Sequence, residues 1–166
     1  MDAIDRQIIA ELERDGRLSV ADLASRVQLT AAPCSRRLRE LERSGVIVGY
    51  RAIVDRAQIG LNFEALVNVT MGVEDAKTIA AFEAGVANVT EVRHAERLFG
   101  DPDYLLRVVA RDIDDYASIR DEKLATLPGV QRITSTIVMR QIVDSRPVSI
   151  SPNTRGSRNQ AKPHRR

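Results

Sequence analysis

Apolar residues recur at helical spacing over the first 45 positions and then alternate along much of the remaining chain. Ile4, Ile8, Ile9 and Leu12 share one face of a helix over residues 3–14, with Asp5, Arg6, Glu11, Glu13 and Arg14 mostly elsewhere. Asp2 is placed to cap this helix and Gly16 to end it. Val20, Leu23, Ala24 and Val27 mark a second, short helix, opened by Ser19 and Asp22 in the manner of a capping box with Asp for Glu. Thr30 then caps a third helix that runs to Ser44 and stops at Gly45, with Cys34, Leu38 and Leu41 as its apolar stripe. Three helices with a tight turn between the last two predict a helix-turn-helix.

Residues 46–54 are β-prone and read as a strand or wing, and Asp55 to Gly60 as a connector. A β-α-β rhythm follows. Phe63, Ala65, Val67, Val69 and Met71 form the apolar side of a strand. Asp75 caps a helix with Ile79, Phe82 and Val86 inward, and Val89 to Phe99 reads as a more polar strand. Gly100-Asp101-Pro102-Asp103 is a turn by composition, and Tyr104 to Ala110 a strongly apolar strand. Asp112 caps a last helix with Ile113, Tyr116, Leu124 and Leu127 inward and acidic Asp114 and Asp115 at its positive end. Pro128-Gly129 ends it, and Val130 to Val143 reads as a long final strand whose core side holds Ile133, Ser135, Ile137 and Met139.

The order β-α-β-β-α-β predicts a ferredoxin-like antiparallel sheet with both helices on one face, so the fold class is α+β. The other face, expected to carry Val138 and Ile142, needs a cover, and a second copy is the simplest one. A twofold dimer would also pair two DNA-reading helices with two half-sites. The expected divisions are residues 1–50 for the helix-turn-helix, 51–62 for a linker, 63–144 for the ferredoxin-like domain and 145–166 for a disordered basic tail.

Candidate chemistry lies on the third helix. With Leu38 as the buried direction, Arg36 points about 160° away, Arg43 about 140° and Arg39 about 100°, with Arg37 on the opposite flank. Outward cations replace phosphate counterions, and one or two can reach guanine edges. An ordinary solvated helix face would carry the same residues; a short capped helix and a tight turn before them favour DNA. Thr30, Ala32 and Pro33 at the helix start join the candidate DNA-contacting set, as does Arg51 beyond it, where a solvated strand residue is the plainer alternative.

Charge qualifies this picture. The chain's net +2 hides an acidic body, −4 over residues 1–144, and a tail of 22 residues that carries +6 and no acid. The basic balance is therefore a tail property and weak support for DNA binding by itself. The tail reads either as a solubilising extension or as a nonspecific DNA attachment. The first residues suit neither a signal peptide nor a membrane span, and the single cysteine, Cys34, has no internal disulfide partner, which fits a reducing cytoplasm. No metal-ligand spacing, phosphate loop or nucleophile-base order is present, and His94 and His164 are isolated, so no catalytic site is expected.

An ordered set of segments carries a family resemblance. Asp5-Arg6-Gln7-Ile8-Ile9, Asp15-Gly16-Arg17-Leu18-Ser19, Leu29-Thr30-Ala31-Ala32-Pro33-Cys34, Arg36-Arg37-Leu38-Arg39-Glu40-Leu41-Glu42, Gly45-Val46-Ile47, Gly49-Tyr50, Gly100-Asp101-Pro102-Asp103-Tyr104-Leu105-Leu106, Leu127-Pro128-Gly129-Val130 and Thr134-Ser135-Thr136-Ile137-Val138 resemble the Lrp/AsnC, or feast/famine, regulators over residues 2–144. The resemblance implies a winged helix-turn-helix joined to a ligand-sensing domain, dimers that assemble into tetramers or octamers, and an amino acid or related metabolite as effector, with no other cofactor. It implies a cytoplasmic, nucleoid-associated regulator with double-stranded DNA and itself as partners. Leu98, Gly100, Asp101 and Asp103 would line one wall of the effector site, and Thr134 and Thr136 the other. Asp101 or Asp103 would accept the effector's ammonium, and backbone N–H groups or threonine hydroxyls would donate to its carboxylate. An effector-free protein that wraps DNA is the alternative. The family commonly has glycine where Gln28 stands, and a positive φ there would strain glutamine by about 1 kcal/mol. It often has Ser-Pro-Thr-Pro-Cys where this chain has Thr30-Ala31-Ala32-Pro33-Cys34.

Overall fold

The computed structural model describes residues 1–73 and 75–143, which fall into two compact units that meet at residues 52 and 53. The basic tail expected over 145–166 lies outside the described residues.

The N-terminal unit is built from α1 (Ala3–Arg14), α2 (Val20–Arg26) and α3 (Ala31–Arg43). Asp2 caps α1 in a reciprocal box with Asp5, and Ser19 caps α2 by accepting from the Asp22 N–H. Their stripes meet in a core of Ile8, Leu23, Ala24, Val27, Cys34 and Leu41. Cys34 is wholly buried there, and desolvation raises its thiol pKa.

Both α2 and α3 end in one motif. In α2 the Leu29 N–H reaches the Ala24 carbonyl and the Gln28 N–H that of Ser25; in α3 the Val46 N–H reaches Leu41 and the Gly45 N–H Glu42. This doubly bonded ending needs a left-handed residue after the cap. Gly45 fills it at φ 73°, and Gln28 fills it at φ 56° against its side-chain preference. Thr30 occupies the N-cap of α3 without a side-chain cap bond, contrary to expectation. The residue three positions on is Pro33, which has no N–H to give.

The strand expected over 46–54 is absent. After Ile47, which packs on the three-helix core, the chain runs through Val48 and Tyr50 to Val54 without a ladder partner. β-prone side chains alone do not satisfy backbone groups, and none of the four strands of the sheet pairs with this segment. The connector forms a short 3₁₀ turn, Ala57–Ile59, closed by Gly60 at φ 81°.

The C-terminal unit follows the expected order: β1 (Phe63–Met71), α4 (Ala76–Ala87), β2 (Val92–Arg97), β3 (Tyr104–Ala110), α5 (Ile113–Ser118) and β4 (Val130–Ile137). The strands lie in the order β2-β3-β1-β4, all antiparallel. Ala65, Val67, Val69 and Met71 of β1 join Tyr104, Leu106, Val108 and Ala110 of β3 under Phe82, Val86, Tyr116, Ile119 and Leu124. Neither α4 nor α5 lies on the opposite face.

Four details differ from the sequence reading. After α5 the chain widens into one π turn, Ile119–Leu124, which puts Ile119 and Leu124 five residues apart on the core side. Ile113, expected inward, is 57% exposed. The final strand stops at Ile137 rather than Val143, because its partner β1 begins at Phe63 and only the Val138 N–H still finds Glu64. Ile137 and Met139 are therefore exposed instead of core, and Ile142 lies beyond the sheet. β2 is shorter than 89–99: Val89 closes α4 and is buried with the core.

Gln28→Gly is expected to raise stability by about 0.5–1 kcal/mol by relieving the left-handed strain, and Gln28→Val to lower it. Urea denaturation of the full chain followed by helical circular dichroism checks this, with no gain in midpoint for the glycine variant as the contrary result.

Candidate functional site

The outward face of α3 carries Arg36, Arg39 and Arg43, and all three are exposed. The two acids between them are engaged: Glu40 pairs with Arg43 at 2.9 Å, and Glu42 accepts from the Tyr50 hydroxyl at 2.9 Å. Desolvation, then that carboxylate, pushes Tyr50 up to about 12, so it stays a donor. Arg39 donates to the Ser35 hydroxyl at 3.0 Å. Among the described residues neither Arg36 nor Arg39 meets a carboxylate. Thr30, Ala32 and Pro33 stand at the start of the same helix, and Arg51 is exposed one residue after the tethered Tyr50.

Arg37 is different. It turns back to α1, where its Nη1 lies 2.7 Å from both Asp2 and Asp5. These carboxylates also make the capping box of α1, so one cluster joins the cap of α1 to the flank of α3. The Asp5 N–H first, and Arg37 after it against some desolvation, hold the Asp2 carboxyl below its ordinary value. A carboxylate depressed in the folded state stabilises above its unfolded pKa, and this contribution is lost as pH falls through the folded value. Arg37, expected among the cations that face DNA, is thus occupied inside the unit, since a long side chain on the flank reaches a neighbouring helix as readily as solvent.

In the C-terminal unit the expected effector residues fall into two groups. Leu98, Gly100, Asp101 and Asp103 surround the β2–β3 turn. Thr134 and Thr136 lie on β4 opposite Asn68 and Leu66, on the helix-free face. Asp103 is structural in this arrangement. A bulge between Thr70 and Met71 shifts β1 against β4, and the Met71 N–H is taken by the Asp103 carboxylate at 2.7 Å. The Asp103 backbone bonds Val69 and Leu98 as well. Asp101 is left at the surface, where it accepts from the Thr70 hydroxyl at 3.3 Å and lies 3.5 Å from Arg132. Gly100 has open space on its side-chain side at φ 137°.

Arg132 and Thr70 were missed in the sequence. Arg132, Thr134 and Thr136 follow period two along β4, so the alternation that selected the threonines included the arginine. Nothing in sequence places Thr70 beside Asp101.

Comparison with known proteins matches a winged helix-turn-helix DNA-binding model to residues 1–48 and an Lrp/AsnC ligand-binding-domain model to residues 64–148. The leucine-responsive regulatory protein of Rhizobium meliloti (strain 1021) is 35% identical over 150 residues, covering 90% of this chain and 96% of that protein. The chain belongs to the Lrp/AsnC family. It is a DNA-binding regulator with a ligand-binding domain. The proline dehydrogenase transcriptional activator of Rhodobacter capsulatus is likewise 35% identical, covering 90% of this chain and 97% of its own length. A Neisseria meningitidis transcriptional regulator crystallised as an L-Met complex superposes with a TM-score of 0.85 at 29% identity, covering 89% of this chain and 96% of that one.

Within this Lrp/AsnC chain, Arg37→Ala is expected to lower the thermal midpoint and to leave the salt dependence of DNA binding unchanged. An unchanged midpoint with a shallower salt slope would place Arg37 on DNA after all.

Proposed function

We propose that this protein is a sequence-specific transcriptional regulator whose hold on double-stranded DNA responds to an amino acid or a related small metabolite. The observation that carries the DNA half is the outward face of α3, where Arg36 and Arg39 meet no carboxylate among the described residues. Arg36, farthest from the buried stripe, is the base-reading candidate; Arg39, Arg43 and Arg51 are phosphate contacts, with Thr30, Ala32 and Pro33 at the helix start beside the backbone. Arg43 exchanges Glu40 for phosphate at little cost, because both are exposed.

The effector half rests on the Lrp/AsnC ligand-binding model, on relatives named for leucine response and on the L-Met complex of the Neisseria protein. The proposed site takes in Leu98, Gly100 and Asp101 of the turn, with Thr134 and Thr136 along β4. Asp103 supports it by fixing the turn. Thr136 lies four residues from Arg132 along β4, about 13 Å. One chain thus spreads the two groups across its sheet face, which suits a site shared with a second copy. Half-buried Leu66 and Leu105 lie on that face and supply apolar surface for the contact. A dimer, able to assemble further, presents two α3 helices to two half-sites. Such a regulator works in the cytoplasm, on the nucleoid.

Three measurements test this. Arg36→Ala is expected to weaken binding to a preferred site by about 1–3 kcal/mol, and Arg39→Ala to weaken all DNA alike while lowering the salt slope by about one. Equal binding by the double variant and the parent would remove α3 as the reading helix. Leu66→Asp with Leu105→Asp should reduce the light-scattering mass toward the 18.4 kDa of one chain; an unchanged mass puts the contact elsewhere. In anisotropy titrations at fixed salt, at least one proteinogenic amino acid should change DNA affinity by roughly 5- to 150-fold. No change with any of the twenty would leave a DNA-wrapping protein without an effector.

A further inference from the structure

The segment that leaves the three-helix core is pinned by a side chain rather than by its backbone. Val46 and Ile47 still donate their N–H groups to the Leu41 carbonyl. Beyond them, among the described residues, no main-chain hydrogen bond holds residues 48–54, and Val48 is 93% exposed. Gly49 follows at φ 155° with open space around its side-chain position, so nothing local fixes the direction of the chain there. Tyr50 supplies the anchor. Its hydroxyl donates to Glu42 Oε1, in the last turn of α3, at 2.9 Å. Its ring lies beside Gly16, with Cδ1 3.6 Å from the place a Cβ on that glycine would take. One side chain thus touches both α3 and the turn between α1 and α2.

The chemistry of this bond makes it durable. The phenol, pushed up to about 12, keeps its proton, and the carboxylate that accepts it makes a charge-assisted hydrogen bond. Glu42 forms no ion pair among the described residues that would compete for it. Arg51 comes next, its Cα about 3.8 Å from that of Tyr50. It is exposed, and among the described residues it meets no carboxylate. A guanidinium on a loose tether loses backbone freedom when it settles on a phosphate. One whose neighbour is already fixed loses less and binds with more of its charge-assisted energy intact.

On the reading of Arg51 as a phosphate contact, we propose that Tyr50 is the positioning residue of that contact: its hydroxyl bond to Glu42 holds the chain after Gly49 so that Arg51 stands ready beside α3 for the DNA backbone. Tyr50 itself touches no DNA in this arrangement. The tie acts within the N-terminal unit and carries no sequence preference, because a phosphate is the same at every base pair. Glu42, an acid on the helix that reads DNA, serves as the acceptor that the clasp requires.

Anisotropy titrations of the full-length chain with a mixed-sequence DNA duplex, over a range of salt, test this. Arg51→Ala is expected to lower the salt slope by about 0.9. Tyr50→Phe keeps the ring beside Gly16 and should melt with the parent, which a thermal scan verifies, since the side chain is 52% exposed. It should nevertheless bind DNA roughly 2- to 10-fold more weakly, with a shallower salt slope, and add nothing further in the Arg51→Ala background. Glu42→Gln and Glu42→Ala remove the same charge, but only glutamine keeps an acceptor for the hydroxyl. The alanine variant should therefore bind more weakly than the glutamine variant by a similar factor, and Tyr50→Phe should have its effect on the second and none on the first. If Tyr50→Phe binds as the parent does, or weakens Arg51→Ala as much as it weakens the parent, Tyr50 does not act through Arg51. The proposal then falls while the Arg51 contact stands. If Arg51→Ala leaves the salt slope unchanged, the reading of Arg51 falls and takes the proposal with it.

Discussion

β1 is the strand to which the whole C-terminal unit is referred. It lies between β3 and β4, and every register in the centre of the sheet is set against it. Its alternation is strict, with Ala65, Val67, Val69 and Met71 buried and Glu64, Leu66, Asn68 and Thr70 turned the other way. Because α4 and α5 cover only the first set, the second set is left on the opposite face. A slip of one residue would send the four apolar side chains to solvent, so packing on one face fixes what the other face displays.

Where β1 departs from regular pairing, the polar groups of the β2–β3 turn gather. The bulge after Thr70 frees the Met71 N–H, and Asp103 takes it. That bond anchors the turn to the end of β1 and sets Asp101 beside Thr70 and Arg132. At the same sheet's other end, Glu64 binds both Arg56 of the connector and Arg107 of β3 and so ties the connector's 3₁₀ turn to the sheet.

The N-terminal unit shows a comparable division of labour among side chains of one type. Arg36, Arg37 and Arg39 are close in sequence and alike in chemistry. Arg37 is drawn to the capping acids of α1, while the other two remain on the outer face of α3. The tie between α1 and α3 therefore uses a residue that composition alone assigns to DNA. Gln28 belongs to the same theme: the turn into α3 demands a left-handed residue, and the three-helix core holds glutamine in that conformation.

Local periodicity and capping were legible in the residues themselves. Helical spacing with Asp2, Ser19, Asp75 and Asp112 at the starts, and period-two alternation from Phe63 to Met71, located five helices and four strands in their order. These signals act between residues a few positions apart, where chain geometry forces the contact. The extent of β4, the absence of a strand over 46–54 and the outward position of Ile113 depended on partners elsewhere. A strand lasts only as long as its neighbour offers N–H and C=O groups, and a helix face turns when its pitch changes. The site divides in the same way. The residue types of the turn and of β4 marked a polar surface, but assigning Asp103 to the backbone, Asp101 to solvent and Arg132 to Asp101 required strands distant in sequence to be placed in register. Hydrogen bonds act over about 3 Å, and no spacing along the chain predicts which distant groups come that close.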